Sequence, residues 1–193
     1  MADPAKRSAT YADLAAVPPN LVAEILDGEL VTPPRPAPAH VTGDTALIIE
    51  LGGPFQKGRG GPGGWIFLGK PEIHLGPHVV VPDVAAWRRE RMPHMPRTAY
   101  YEIAPDFVCE VISRSTEADD RGRNRRIYAT YEVPHLWYLD PVARLLEVFR
   151  LRDKQWVLFD TFEDGDAVKA PPFDAVPFLL ADLWPVPPAP SED

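Results

Sequence analysis

Short apolar runs, punctuated by glycine and proline, carry the pattern of this chain. Ser8 or Thr10 is placed to cap a helix through TYADLAAV, which Pro18 and Pro19 stop. In LVAEILDGELVTP two apolar runs meet at Asp27-Gly28, a dipeptide suited to positive φ, which predicts a tight hairpin. PPRPAPAH reads as a stiff loop, and HVTGDTALIIELGG as a helix ended by glycine. The glycine-rich stretch from Gly52 to Gly64 reads as a mobile loop. It lacks the Gly-Lys-Ser/Thr ending that a phosphate loop needs at a helix start.

Strands are predicted at WIFLG, EIHL, VVVPDVAAW and DFVCEVIS, with an irregular stretch over 88 to 104. EADDRGRNRRIYATYEV reads as a helix, acidic early and basic late as its dipole prefers. HLWYLD and LLEVFRL form two strands joined by a turn at Pro141, QWVLFDTF a third, and FLLADLWP returns towards a proline-rich end. This order predicts one α/β (α+β) domain over residues 1–193 around a mixed, mostly antiparallel sheet, with 1–7 and 186–193 as flexible tails.

Composition narrows the picture. At 193 residues and 45% apolar the chain suffices for one well-buried core. Its 24 prolines stiffen connections and ends. The lone Cys109 excludes an internal disulfide and a cysteine-rich zinc site, and its apolar neighbours predict a buried thiol. The start of the chain lacks a signal-peptide pattern, and no window reaches the roughly 20 apolar residues that span a membrane, so a cytoplasmic location is expected. A net charge of −8 excludes nucleic-acid binding through overall basicity. Any such contact needs a local patch, and the candidates are Arg88, Arg89 and Arg91, or Arg121, Arg123, Arg125 and Arg126.

The informative residues are acids within apolar runs. Glu110 shares its strand face with Val108 and Ile112, Asp83 lies within VVVPDVAAW, and Glu24 lies within LVAEIL. A buried ionised carboxylate costs several kcal/mol unless paired or bound to a metal. Taken singly, Glu24 could face water on an edge strand, Asp83 could organise a bend after proline, and Glu110 could pair with an arginine. Taken together they suit magnesium, which favours oxygen ligands and keeps waters for substrate. Such an ion polarises a phosphoryl oxygen and acidifies an attacking water, although spacing alone does not separate a nuclease from another magnesium enzyme.

In order and spacing, TYADL, AEILDGEL, PAPAH, VVVPDV, FVCEVIS, DRGRNRRIYATYEVPHLWYLDP and ADLWP resemble the bacterial "putative restriction endonuclease" family, from about Thr10 to Pro185. That family lies within the PD-(D/E)xK, or restriction-endonuclease-like, superfamily. The resemblance implies a central mixed sheet flanked by helices, with the site on its central strands. It implies Asp83 and Glu110 as the motif acids, Glu24 as an additional glutamate, and a Mg2+ ion, or Mn2+, on these three. His40 matches a histidine found after the proline-rich loop, where a residue could equally cap the helix or face solvent.

The chain departs from the pattern at the lysine. Ile112 stands two residues after Glu110, and Asn124 stands four before Tyr128, where relatives place a lysine. Asparagine hydrogen-bonds but brings no charge. Arg121, one helical turn earlier, or Lys70, at the end of WIFLGK, could supply it. The leading expectation is a Mg2+-dependent endonuclease acting on DNA, as a homodimer, with catalytic contributions from Glu24, Asp83, Glu110, Asn124 and Arg121. The alternative is a catalytically inactive module of the same fold that binds nucleic acid or assembles with protein. The basic residues able to reach the metal position separate the two.

Overall fold

The computed structural model describes residues 7–33 and 38–184. Thr10 caps α1 (Tyr11–Ala15) reciprocally: its hydroxyl oxygen accepts the Asp13 amide, and the Asp13 carboxylate accepts the Thr10 amide at 2.7 Å. The hairpin of β1 (Glu24–Leu26) and β2 (Glu29–Val31) turns at Asp27 and Gly28, whose φ angles are 52° and 80°. Glycine suits the positive φ at position 28, where a Cβ would also lie a tight 3.0 Å from the Ser8 hydroxyl.

α2 (Pro38–Leu51) begins on a proline that needs no amide partner. Residues 34–37 of the expected stiff loop lie outside the described residues. The helix does not end at the glycines: a π-helical turn over Gly52–Gln56 continues it, buries Phe55 and lets the Gln56 side chain accept the Phe67 amide at 2.8 Å. The Phe55 ring packs 5.0 Å from Phe173, and this burial is why the first part of the expected loop is ordered helix.

The run VVVPDVAAW is two strands rather than one. Pro82 has no amide to give a ladder, and the chain breaks there. β5 (His78–Val80) joins a four-stranded sheet in the order β2-β1-β5-β4, with β4 at Ile73–Leu75. Beyond the break, β6 (Val84–Arg88) enters a six-stranded sheet with β3 (Trp65–Gly69), β7 (Phe107–Val111), β8 (His135–Asp140), β9 (Leu145–Arg152) and β10 (Gln155–Glu163). Its order is β10-β9-β8-β7-β6-β3, and β7–β8 is the parallel pair within it. A parallel pair needs a crossover. Here it is α3 (Glu117–Asp119), a π-helical turn over Asp120–Asn124, and α4 (Arg125–Thr130), where the sequence predicts one regular helix.

Both faces of this sheet are covered, which explains the unbroken apolar run of β7, buried at all five positions. On one face Phe107, Cys109 and Val111 pack with Leu47 and Leu51 of α2 and with Leu180 and Leu183 near the end of the described chain. On the other, Val108 and Leu136 pack with Ile127 and Tyr128 of α4 and with Leu26 and Val80 of the smaller sheet. Cys109 is a free, fully buried thiol, as its apolar neighbours predict, and burial raises its pKa. Trp137 and Tyr138 are core residues of β8. No helix among the described residues is long and apolar enough to cross a membrane.

His135 opens β8 opposite Arg150, and burial, then the Arg150 charge, lower its pKa from 6.5 to about 4. The unfolded chain therefore takes up this proton first, and stability falls as pH drops from 6.5 towards 4. Urea denaturation at pH 7.5 and 5 tests this. Between the two, His135→Gln should lose less stability than wild type, by on the order of 1–2 kcal/mol. Equal losses would contradict it.

Candidate metal centre

The break at Pro82 creates the site. Just before β6, the Asp83 amide donates to Glu110 Oε2 at 3.2 Å, and the Val111 amide donates to Asp83 Oδ2 at 2.9 Å. Two acids remote in sequence are thus locked to each other's strand. Lys70 follows β3 with φ at 49°, and its amide donates to the Asp83 carbonyl at 3.0 Å. Its ammonium contacts Asp83 Oδ1 and lies 3.1 Å from Asp44 Oδ2.

α2 approaches the same corner closely. A Cβ on Gly43 would lie 3.2 Å from Leu139, so the helix backbone sits nearly against the sheet. His40 and Asp44, one turn apart, thereby reach Asp83, with His40 Nε2 2.7 Å from Asp83 Oδ1. His40 is 6% exposed and takes neither the capping nor the surface role. Glu24, 7% exposed, does not face water: its Oε1 accepts the Val81 amide at 2.8 Å. Among the described residues Glu110 meets no arginine. Its Oε1 accepts the Tyr128 hydroxyl at 2.6 Å. From the crossover, Asp120 and Asn124 face the same space.

Glu24, His40, Lys70, Asp83, Glu110, Asp120 and Asn124 line one cavity of about 160 Å³. Among the described residues, Lys70 is the one lysine or arginine that lines it. Arg121 is held elsewhere, donating to Glu117 at 3.0 Å and Glu147 at 2.5 Å, with its guanidinium over the Tyr138 ring. It does not share the Asn124 face, because the π-helical turn between them alters the helical phase. The other arginines of that group are also engaged: Arg123 with Asp119 and Glu29, Arg126 with Asp27, and Arg125 over Phe149. In the other group, Arg91 pairs with Asp106 and Arg88 stacks over Trp65.

The electrostatics divide the cavity. Burial favours a protonated Asp83, but the His40 hydrogen bond and the His40 and Lys70 charges outweigh it and lower its pKa. Burial also works against the Lys70 charge, and Asp83 and Asp44 more than offset it, so the lysine pKa is raised. Across the cavity the balance reverses. Burial raises Glu24 to about 7, with repulsion from Asp120 and Asp83 added. Burial, then Asp120 and Asp83, raises Glu110 well above the usual carboxylate range despite the Tyr128 hydrogen bond. Asp120 too is raised to about 7, chiefly by burial.

Among the described residues, the ligand atoms of His40, Asp44 and Asp83 lie within 4.8 Å of one another. The Lys70 ammonium bridges Asp44 and Asp83, and His40 joins through Asp83. The whole donor set consists of carboxylates, one imidazole and one amide. Hard oxygen donors of this kind fit Mg2+ or Mn2+. The buried Oδ1 of Asn124, which has no hydrogen-bond partner, fits a bound ion or its water as well. Three contributors escape sequence reasoning. Asp44 and Asp120 resemble ordinary helix-surface acids, and Tyr128 an ordinary core residue. The available signal was i, i+4 spacing: His40 to Asp44, Asp120 to Asn124, and Asn124 to Tyr128.

A family model described as "Uma2: Putative restriction endonuclease" matches residues 8–177. Among solved structures the fold is similar to a "putative nuclease belonging to DUF820" from Anabaena variabilis ATCC 29413. The TM-score is 0.74 at 19% identity, covering 91% of this chain and 97% of that one. No curated protein matches the chain.

Glu24 supplies a stability test. Its folded pKa of about 7 lies above the ordinary 4.5, so its burial costs stability as pH rises through that window. Glu24→Gln keeps the acceptor for Val81 and removes the charge. With chelator present, the variant should be more stable than wild type at pH 8, by on the order of 2–3 kcal/mol, and no more stable at pH 4.5. Denaturation curves at the two pH values decide it. A wild type as stable as the variant at pH 8 would refute the assignment.

Proposed function

This chain belongs to the Uma2 family of "putative restriction endonucleases", and from that premise we propose that it is a Mg2+-dependent endonuclease hydrolysing DNA phosphodiester bonds. The observation that carries this reading is the Lys70 ammonium on the carboxylate of Asp83, the residue whose own amide donates to Glu110. A positive charge is therefore available at the acids although Asn124 brings none.

Asp83 and Glu110 would hold the ion, with Glu24 as a further ligand or an orienter of its water. The bound ion would supply polarisation of a phosphoryl oxygen and an acidified water. His40 fixes the Asp83 carboxylate and Tyr128 fixes that of Glu110, so neither acid needs to reorganise when substrate arrives. Lys70, kept protonated by Asp83 and Asp44, would contact the scissile phosphate and stabilise the charge that develops on it. Manganese would serve in place of magnesium. We extend the reading to a homodimer acting in the cytoplasm, for which sedimentation of the purified chain tests the dimer.

One observation favours the catalytically inactive alternative, in its form as a module that assembles with protein. Arg121 and its neighbours pair with acids or rings of the chain itself, which leaves few cations for a phosphate backbone. Titration with Mg2+ and Mn2+, followed by heat release and plasmid nicking together, separates the readings. Wild type should bind metal and nick, Asp83→Ala/Glu110→Ala should do neither, and Lys70→Met should bind metal but nick at least about 100-fold more slowly. Metal binding by wild type without nicking would favour the non-cleaving module. Absence of metal binding by wild type would refute the metal centre.

A further inference from the structure

The cavity has one neutralised side and one that lacks a cation. Lys70 and His40 contact Asp83, and Lys70 also contacts Asp44. Opposite them stand Glu24, Glu110 and Asp120. Asp120 is the foremost like charge acting on both glutamates. A buried cluster of that kind stays largely protonated unless a cation joins it.

Asn124 points to the same conclusion independently. It is 2% exposed, it lines the cavity, and its Oδ1 has no partner. Its Nδ2 reaches Asp120 Oδ1 at a long 3.5 Å. A buried acceptor left unmet costs about 1–3 kcal/mol, so this oxygen calls for a donor or an ion. The backbone presents it deliberately. In the π-helical turn the Arg125 amide donates to the Asp120 carbonyl, which also accepts the Tyr138 hydroxyl at 2.8 Å. The core thus holds the widened turn in place, and Asp120 and Asn124 both line the cavity.

We propose that Asp120 and Asn124 are part of the metal site: the Asp120 carboxylate and the Asn124 Oδ1 take the water shell of the ion held by Glu24, Asp83 and Glu110. The inference rests on the metal-centre reading above; it adds Asp120 to it and gives Asn124 a defined role. Magnesium keeps several of its waters, so partners beyond direct ligation distance still contribute. Asn124 thereby acts as a neutral acceptor towards the ion's water, and the positive charge comes from Lys70 on the far side.

The test is Mn2+ binding to the full chain by calorimetry, which needs no turnover. Asn124→Leu removes the acceptor and Asp120→Asn removes the charge; each should weaken Mn2+ by about tenfold or more. Asn124→Asp adds a carboxylate to the same place and should tighten it. Melting curves in chelator identify any variant that has lost its fold. A merely structural role for Asn124 would make the Leu and Asp variants weaken binding alike, and that result overturns the inference. So does an affinity within about twofold of wild type in all three variants, with binding still lost in Asp83→Ala/Glu110→Ala; the metal-centre reading would then stand. No Mn2+ binding by wild type would overturn both.

Discussion

The Asp83 carboxylate is the interaction on which the site depends. One oxygen accepts the Val111 amide of β7; the other meets His40 of α2 and Lys70 beyond β3, while the Asp83 amide donates to Glu110. Three separate stretches of chain therefore converge on one residue. Pro82 makes this possible by ending β5, which leaves the Asp83 amide free to donate to Glu110. The close seat of α2 at Gly43 and the widened turn at Asp120–Asn124 bring the remaining groups to the same corner.

Such crowding opposes stability. Five carboxylates, those of Glu24, Asp44, Asp83, Glu110 and Asp120, surround the cavity or its rim, and Lys70 and His40 answer chiefly Asp83 and Asp44. The rest of the fold has to hold these like charges together. It does so through β7, buried along its length, and through aromatic groups of the core whose hydroxyls grip Glu110 and the Asp120 carbonyl. The sheet is thus both the core of the fold and the clamp on the acids.

Much of this was legible in the sequence, for identifiable reasons. The Thr10 cap, the Asp27-Gly28 turn and the β7 strand follow from local rules that tertiary packing did not override. Glu24, Asp83 and Glu110 stood out because acids within apolar runs demand an explanation, and all three line one cavity. The rest needed long-range information. Strand register decides that Lys70 meets Asp83, since Gly69 pairs with Val84 across β3 and β6. Helical phase decides where Arg121 goes, and a π-helical turn is invisible to a period of 3.6. Asp44 and Asp120 looked like solvated helix acids, because only the packing of their helices against the sheet buries them.

The lysine and the acids of this cavity belong to different segments, and that separation has an evolutionary consequence. A motif read along the chain treats the cation as fixed in spacing to the second acid, and on that criterion Ile112 and Asn124 mark a decayed enzyme. The cavity requires only a volume in which an ammonium can lie beside Asp83. Any strand end or helix bordering that volume can donate it, so the charge can migrate between segments while the carboxylates stay in place. In this chain the linear signature is absent while an ammonium still lies beside the acid it would serve.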